Sequence, residues 1–272
     1  MLSLHRIMIS YKKYFSDNSK EWVTFIHGAG GSSCLWYRQI RAFQKDYNVL
    51  LLDLRGHGNS QPTIKQEISS GYYTFPLLAK DVIEVLDFEN IKQTHFIGIS
   101  LGTIVIRQIC EDYPERALSM IMGGAVLSFD IKVKILLKLS FIFKSILPYL
   151  LMYRLLAYII MPKEKHKKSR NLFLKESSKI RKNEFYKIFA LTIGINQVFK
   201  FFNKKELNIP ALYIMGEDDY MFLDSIKKLL QNHNNYSKLV IVPNSGHVCN
   251  VDNPDFFNNT ALSFIKNIKK AF

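Results

Sequence analysis

Apolar residues in this chain come in short bursts, separated by longer stretches where they recur every three or four positions. The bursts fall at residues 2–9, 11–15, 22–26, 47–52, 94–99, 118–123, 211–215 and 239–242. Most are continuous runs, such as WVTFI and ALYIM, which suits strands buried on both faces. The stretches with helical spacing lie at residues 35–43, 77–86, 103–113, 223–232 and 254–268. Strands alternating with helices predict the α/β class, a mostly parallel central sheet flanked by helices on both sides. Sheets of this kind bind ligands at the carboxyl ends of their strands.

Residues 129–205 break the alternation with helices alone. Residues 133–147 have a polar stripe at Lys134, Lys138 and Ser145 and are apolar almost everywhere else, and Pro148 ends or kinks that helix. Residues 149–161 carry one charge, Arg154; residues 162–170 (PKEKHKKSR) read as a charged turn, and 171–182 and 184–202 as two further helices. The pattern predicts a helical cap inserted between the sixth and seventh strands, with the core formed by residues 1–128 and 206–272. Residues 135–161 are long enough to cross a bilayer. Lys138, Lys144, Pro148 and Arg154 argue instead for an amphipathic pair, since each charge at bilayer depth costs about 2.5–3.5 kcal/mol.

Charge sharpens this division. The 272 residues carry a net +14. Residues 129–205 hold 18 Lys and Arg against 4 Asp and Glu, whereas the remainder balances at 19 against 19. The surplus lysines are interleaved with Leu, Ile and Phe and accompany no nucleic-acid motif, which excludes nucleic acid as the expected partner. A solubilising surface or contact with an anionic membrane remains. His5 and Arg6 interrupt the first ten residues, so no signal peptide is expected. Cys34, Cys110 and Cys249 are odd in number and lack C-x-x-C spacing, which reads as reduced thiols in the cytoplasm. Neither a metal nor an organic cofactor is expected.

The chemistry concentrates in Gly98-Ile99-Ser100-Leu101-Gly102, a G-x-S-x-G box between an apolar strand and a helix. That context is a nucleophile elbow. The sharp turn strains the serine backbone, requires tiny residues two positions either side, and sets the Leu101 N–H at a helix start, where it can face a developing anion. Three other strand ends carry short motifs: His27-Gly28-Ala29-Gly30-Gly31-Ser32, the segment DLRGHGNS from Asp53 to Ser60, and Gly216-Glu217-Asp218-Asp219. Pro243-Asn244-Ser245-Gly246-His247 follows the last strand. The HGAGGS loop lacks the endings of a nucleotide-binding loop.

With these motifs in this order, the chain resembles the α/β-hydrolase fold family, in its cap-bearing branch of esterases, lipases and small-molecule hydrolases. The resemblance implies a catalytic Ser100, His247 as its base, and an acid three residues after Gly216, Asp219, with Asp218 next and Glu217 after it. It implies oxyanion donors at the N–H groups of Ala29 and Leu101, and support from His27, Gly28, Gly98 and Gly102. His57, Asp53 and Arg55 are expected to hold the second loop together. An elbow serine sets the chain apart from haloalkane dehalogenases and epoxide hydrolases of this fold, which carry aspartate there. One departure is Leu223, where the family often has proline.

The leading expectation is a serine hydrolase that cleaves a small to medium or monoacylglycerol-like ester. Phe141, Phe143, Tyr149 and Tyr153 are candidates for the pocket lining. The alternatives keep the triad: a carbon–carbon bond hydrolase or menaquinone-pathway pyruvate-eliminating lyase, whose anionic substrate would need cap cations, or a ligand sensor with slow single-turnover hydrolysis.

Overall fold

The computed structural model describes residues 9–61, 71–129, 135, 139, 142 and 147–268. The candidate strand at residues 2–8 and the helix expected at 133–146 lie outside them, apart from three helical residues. Seven strands form one sheet: β1 (Tyr11–Tyr14), β2 (Trp22–Ile26), β3 (Asn48–Leu52), β4 (Thr94–Ile99), β5 (Ala117–Gly123), β6 (Ala211–Gly216) and β7 (Ser237–Val242). Their order is β1-β3-β2-β4-β5-β6-β7. Only β1 runs antiparallel, Tyr11 pairing with Leu52; every other pair is parallel.

The continuous apolar runs reflect burial on both faces. On β3, Leu50 and Leu52 join one core while Val49 and Leu51 join the other. On β6, Tyr213 and Met215 face the first core, and Leu212 and Ile214 the second. The first core is covered by α2 (Phe75–Phe88), α3 (Leu101–Asp112) and α8 (Leu223–Leu230), and the second by α1 (Tyr37–Gln44), the short α9 (Cys249–Asp252) and α10 (Pro254–Ile268). Helix α2 starts where Thr74 Oγ1 accepts the Leu77 N–H at 3.2 Å, with Pro76 in its first turn. Both features satisfy or remove donors that a helix start leaves unpaired.

Between β5 and β6 the chain forms α4 (Tyr149–Ile160), α5 (Lys167–Ser177), α6 (Lys182–Ala190) and α7 (Ile195–Phe202). Two boundaries differ from expectation. Helix α5 begins inside the charged segment expected to be a turn, because a short 3-10 turn at Glu164–His166 runs straight into it. The single helix expected over 184–202 is two helices, broken at Gly194, whose φ of +74° only glycine adopts without strain.

Polar groups pin this insertion to the sheet domain. Ser32 Oγ donates to Glu176 Oε2 at 2.7 Å, and the Tyr73 hydroxyl donates to Glu184. Both carboxylates are buried and each is neutralised by a lysine three residues on, Lys179 and Lys187. Arg107 on α3 donates to the carbonyls of Phe202 and Lys205 at 2.7 and 3.0 Å.

The β4–α3 turn is packed closely against β2. A Cβ on Gly102 would sit 2.1 Å from the Ile26 carbonyl oxygen, a backbone atom that cannot move aside. Gly102→Ala is therefore expected to cost about 3 kcal/mol or more, or to prevent folding. Gly71→Ala, where a Cβ meets nothing within 4 Å, is expected to leave stability within about 1 kcal/mol. Urea denaturation of the two variants beside the parent protein checks this contrast.

Candidate active site

Ser100 sits between the end of β4 and the start of α3, with φ +54° and ψ −119°. A non-glycine residue held there stores roughly 1–3 kcal/mol of strain. Its backbone is fully engaged: the N–H donates to Gly123 O at 3.1 Å, and the carbonyl accepts from the Thr103 N–H at 2.9 Å and from Thr103 Oγ1 at 2.6 Å. These bonds hold the turn and leave the side chain to the cavity outside the sheet. Gly98 and Gly102 make the turn possible, since a Cβ on Gly98 would lie 2.9 Å from the backbone of Gly102.

Asp219 and His247 come from the loops after β6 and β7. Both are buried, and the His247 Nδ1–H donates to Asp219 Oδ2 at 2.8 Å. The other ring nitrogen, Nε2, is buried with no hydrogen-bond partner among the described residues. Ser100, Leu101, Ala29 and His247 line one cavity of about 140 Å³. Leu101 N–H is the first of helix α3 and has no intrahelical acceptor. Gly28 presses the neighbouring loop onto the elbow, where a Cβ would meet Ser100 Cβ at 3.0 Å. A hydroxyl, an imidazole with one open nitrogen, a buried carboxylate and the first N–H of α3 thus lie together. Such a set can remove a proton from the hydroxyl and stabilise both the imidazolium and an adjacent oxyanion.

His27 and His57 are structural. His27 donates from Nδ1 to Gly28 O at 2.8 Å and accepts the Leu54 N–H on Nε2 at 2.9 Å. His57 accepts the Gly30 N–H on Nε2 at 3.2 Å and donates from Nδ1 to Arg55 O at 3.0 Å. Each ring staples the loop after β2 to the loop after β3, and each must be neutral to accept a proton-bearing donor. Burial lowers the pKa of both, with His57 brought down to about 3 by burial and by its neighbour His27. Asp53 holds the same loops through the N–H groups of Ser33 and Asn59 at 2.7 and 2.9 Å. Burial opposes its ionisation, but these donors outweigh it and the pKa is lowered. Arg55 departs from expectation: its guanidinium pairs with Asp81 on α2 instead of closing its own turn.

The alternative acid, Asp218, has a different occupation. Lys163, Lys165 (2.5 Å) and His166 (3.3 Å) of the insertion converge on it. Burial raises its pKa, the two lysines overcome that effect, and the net value falls to about 2. Glu217 accepts the Asn244 N–H at 3.0 Å. Among the described residues, His247 pairs with Asp219 rather than with either of these carboxylates. The His166 ring packs against Gly246, so the insertion touches the residues immediately before both Asp219 and His247. His166 carries no motif in the sequence; its place in the PKEKHKK run is the signal that could have found it.

The cavity lining also differs from expectation. Tyr149 and Tyr153 pack against Phe185, and Tyr153 also against Phe173, away from the cavity. Leu156 and Ile160 of the same helix line it instead, with Ile188, Leu191 and Ile195. A helix packing through Tyr153 and Ala157 turns positions 156 and 160 toward the site. Phe141 and Phe143 lie outside the described residues.

Residues 21–254 match the family model described as alpha/beta hydrolase fold, and the chain belongs to this family. Fold and relatives support a hydrolase. It is 27% identical over 258 residues to a pimeloyl-[acyl-carrier protein] methyl ester esterase of Wigglesworthia glossinidia brevipalpis, covering 90% of this chain and 93% of that one. It is 25% identical over 270 residues to epoxide hydrolase 4 of Mus musculus, covering 92% and 74%. Among solved structures, the enol-lactonase from Burkholderia xenovorans LB400 superposes with a TM-score of 0.76 at 18% identity, covering 95% of this chain and 96% of that one. At that identity the likeness concerns the fold alone.

The neutral histidines predict a pH dependence. Below about pH 6.5, their ordinary pKa, the unfolded chain binds protons that the folded protein refuses at His57 until about pH 3. The unfolded state then holds more protons, so stability falls as pH drops through that window, by at most about 1.4 kcal/mol per pH unit for each histidine. Denaturation of the parent protein and His57→Asn from pH 7 to 4 is expected to show a shallower slope in the variant. Equal slopes would remove His57 from this balance.

Proposed function

We propose that the protein is a serine carboxylester hydrolase acting on a small acyl ester through Ser100, His247 and Asp219. The observation that carries this reading is the shared cavity: a strained serine and a histidine whose Nε2 is unpartnered, while its Nδ1 is held by a buried aspartate. Ser100 Oγ attacks the ester carbonyl carbon as His247 Nε2 takes its proton. The carbonyl π electrons move to oxygen, where the N–H groups of Ala29 and Leu101 receive the negative charge. Collapse expels the alkoxide, which takes the proton from His247 and leaves as the alcohol. Water, deprotonated by the same nitrogen, then attacks the acyl-enzyme; the acyl–Oγ bond breaks, Ser100 Oγ takes the proton back from His247 Nε2, and the acid is released. Asp219 fixes the Nδ1–H tautomer and stabilises the imidazolium.

The name of the esterase relative agrees with this reading. The epoxide hydrolase relative does not redirect it, because family members of that activity use an elbow aspartate where this chain has Ser100. The carbon–carbon and pyruvate-eliminating alternatives need a cation for an anionic substrate. Among the described residues no lysine or arginine lines the cavity, so the neutral ester is favoured over both. A cavity near 140 Å³ compares with one of about 150 Å³ that holds benzene. That size suits an acyl group of roughly six heavy atoms.

Steady-state hydrolysis of p-nitrophenyl esters from acetate to palmitate tests the proposal. Turnover is expected to peak at chains of about six carbons or fewer and to vanish in Ser100→Ala. Asp219→Asn is expected to lower kcat on the order of 10⁴-fold, and Asp218→Asn to lower it by less than about tenfold, because its partners belong to the insertion. Comparable losses in the two asparagine variants would contradict the assignment. Labelling of Ser100 by a fluorophosphonate without turnover of any ester would favour the sensor or carbon–carbon reading.

A further inference from the structure

Helix α4 is apolar nearly all round, yet only one side of it is buried. Met152, Tyr153 and Ala157 pack inward, and Leu156 and Ile160 reach the cavity. On the other side Leu150, Leu151, Leu155 and Tyr158 are 44, 39, 48 and 47% exposed. At 100° per residue these four positions fall within an arc of about 140°, with the exposed Arg154 in its middle. Just upstream Ile135, Leu139 and Ile142 are each helical and exposed. Nine of the sixteen exposed large hydrophobics among the described residues belong to residues 129–205. Surface apolar residues are ordinary when scattered, but a concentration on one inserted element marks a contact.

Charge selects the partner. The insertion carries the whole net charge of the chain. Two of its four acidic residues, Glu176 and Glu184, are turned inward to Ser32 and Tyr73. Among its described acidic side chains only Glu164 is exposed, so the outer surface is more basic than the composition alone conveys. Two copies meeting through such a surface would repel each other. A partner must offer both an apolar interior and negative charge.

We propose that the outer face of α4 docks on an anionic lipid bilayer, Leu150, Leu151, Leu155 and Tyr158 entering the interface while Arg154 and the neighbouring lysines meet the headgroups. The twelve residues of α4 span about 18 Å, short of a bilayer core of about 30 Å, so the helix lies in the plane of the surface. No described helix is long and apolar enough to cross a membrane. The inference stands apart from the ester reading, although the opposite face of the same helix roofs the Ser100 cavity.

The test uses the full chain with Ser100→Ala, so that catalysis plays no part. Co-sedimentation is measured with phosphatidylcholine vesicles and with vesicles containing phosphatidylglycerol. Partitioning is expected to be at least about tenfold stronger on the anionic vesicles and to weaken as salt is raised. Leu151→Asp with Leu155→Asp, both at exposed positions, is expected to lower it by about tenfold while the melting temperature stays unchanged. Absence of anionic binding, equal binding to both vesicles, or binding untouched by the paired substitution would overturn the proposal. Self-association of the parent chain that the paired substitution abolishes would overturn it too, since a second copy would then occupy the face.

Discussion

The arrangement depends on how closely the β4–α3 turn approaches β2. The start of α3 lies against the carbonyls of Ile26 and His27, a distance that admits no side chain at Gly102. This contact forces the chain through Ser100 at positive φ, and the bonds from Thr103 and to Gly123 O hold it there. The same approach brings the loop at Gly28 and Ala29 beside the first N–H of α3. One steric constraint therefore sets both the direction of the serine backbone and the approach of the Gly28 loop to the start of α3.

A strained turn keeps its shape only if its surroundings are rigid. His27, His57 and Asp53 supply that rigidity by satisfying backbone N–H groups that the loops after β2 and β3 would otherwise bury unpaired. An unpaired buried donor costs about 1–3 kcal/mol, so each side chain acts as a local lock. The insertion is fixed by a comparable logic with charge added. The Tyr73 hydroxyl donates to buried Glu184 across the two parts, and Lys187 on the same helix balances that charge. Leaving such a carboxylate uncompensated costs about 3–5 kcal/mol, so this contact ties the roof of the cavity to its floor. The adjacent pair Asp218 and Asp219 divides the labour: one carboxylate faces the lysines of the insertion, and the other faces His247.

The parts of this architecture that the sequence displayed are those governed by local rules. Alternating apolar bursts and helical stretches follow from strands buried on both faces, and the G-x-S-x-G box follows from the steric demand just described. Asp219 was separated from Asp218 by family spacing rather than by local pattern; burial and hydrogen bonding now distinguish their partners. Contacts between distant segments were not legible. Nothing near Arg55 points to Asp81, and nothing near His166 points to Gly246. The break at Gly194 was available as a signal but was outweighed by the helical spacing around it. Likewise, nothing local separates Tyr149 and Tyr153 from Leu156 and Ile160 as lining residues; helix orientation, set by tertiary packing, turns Leu156 and Ile160 toward the cavity.

Positive charge and apolar volume are separated in space, and this separation constrains what each can do. The cavity beside Ser100 is lined by apolar side chains, His247 and a single threonine, Thr192, with no lysine or arginine among its described lining. The cations instead occupy the outside of the insertion or are consumed at its contacts, as Lys163 and Lys165 are at Asp218. Among the described lining, a carboxylate substrate placed at Ser100 would lose its hydration without gaining an ion pair, a penalty of several kcal/mol. A neutral ester, as proposed, loses little on the same transfer. The basic character of the insertion therefore bears on the proposed bilayer contact, and the apolar cavity on the proposed substrate.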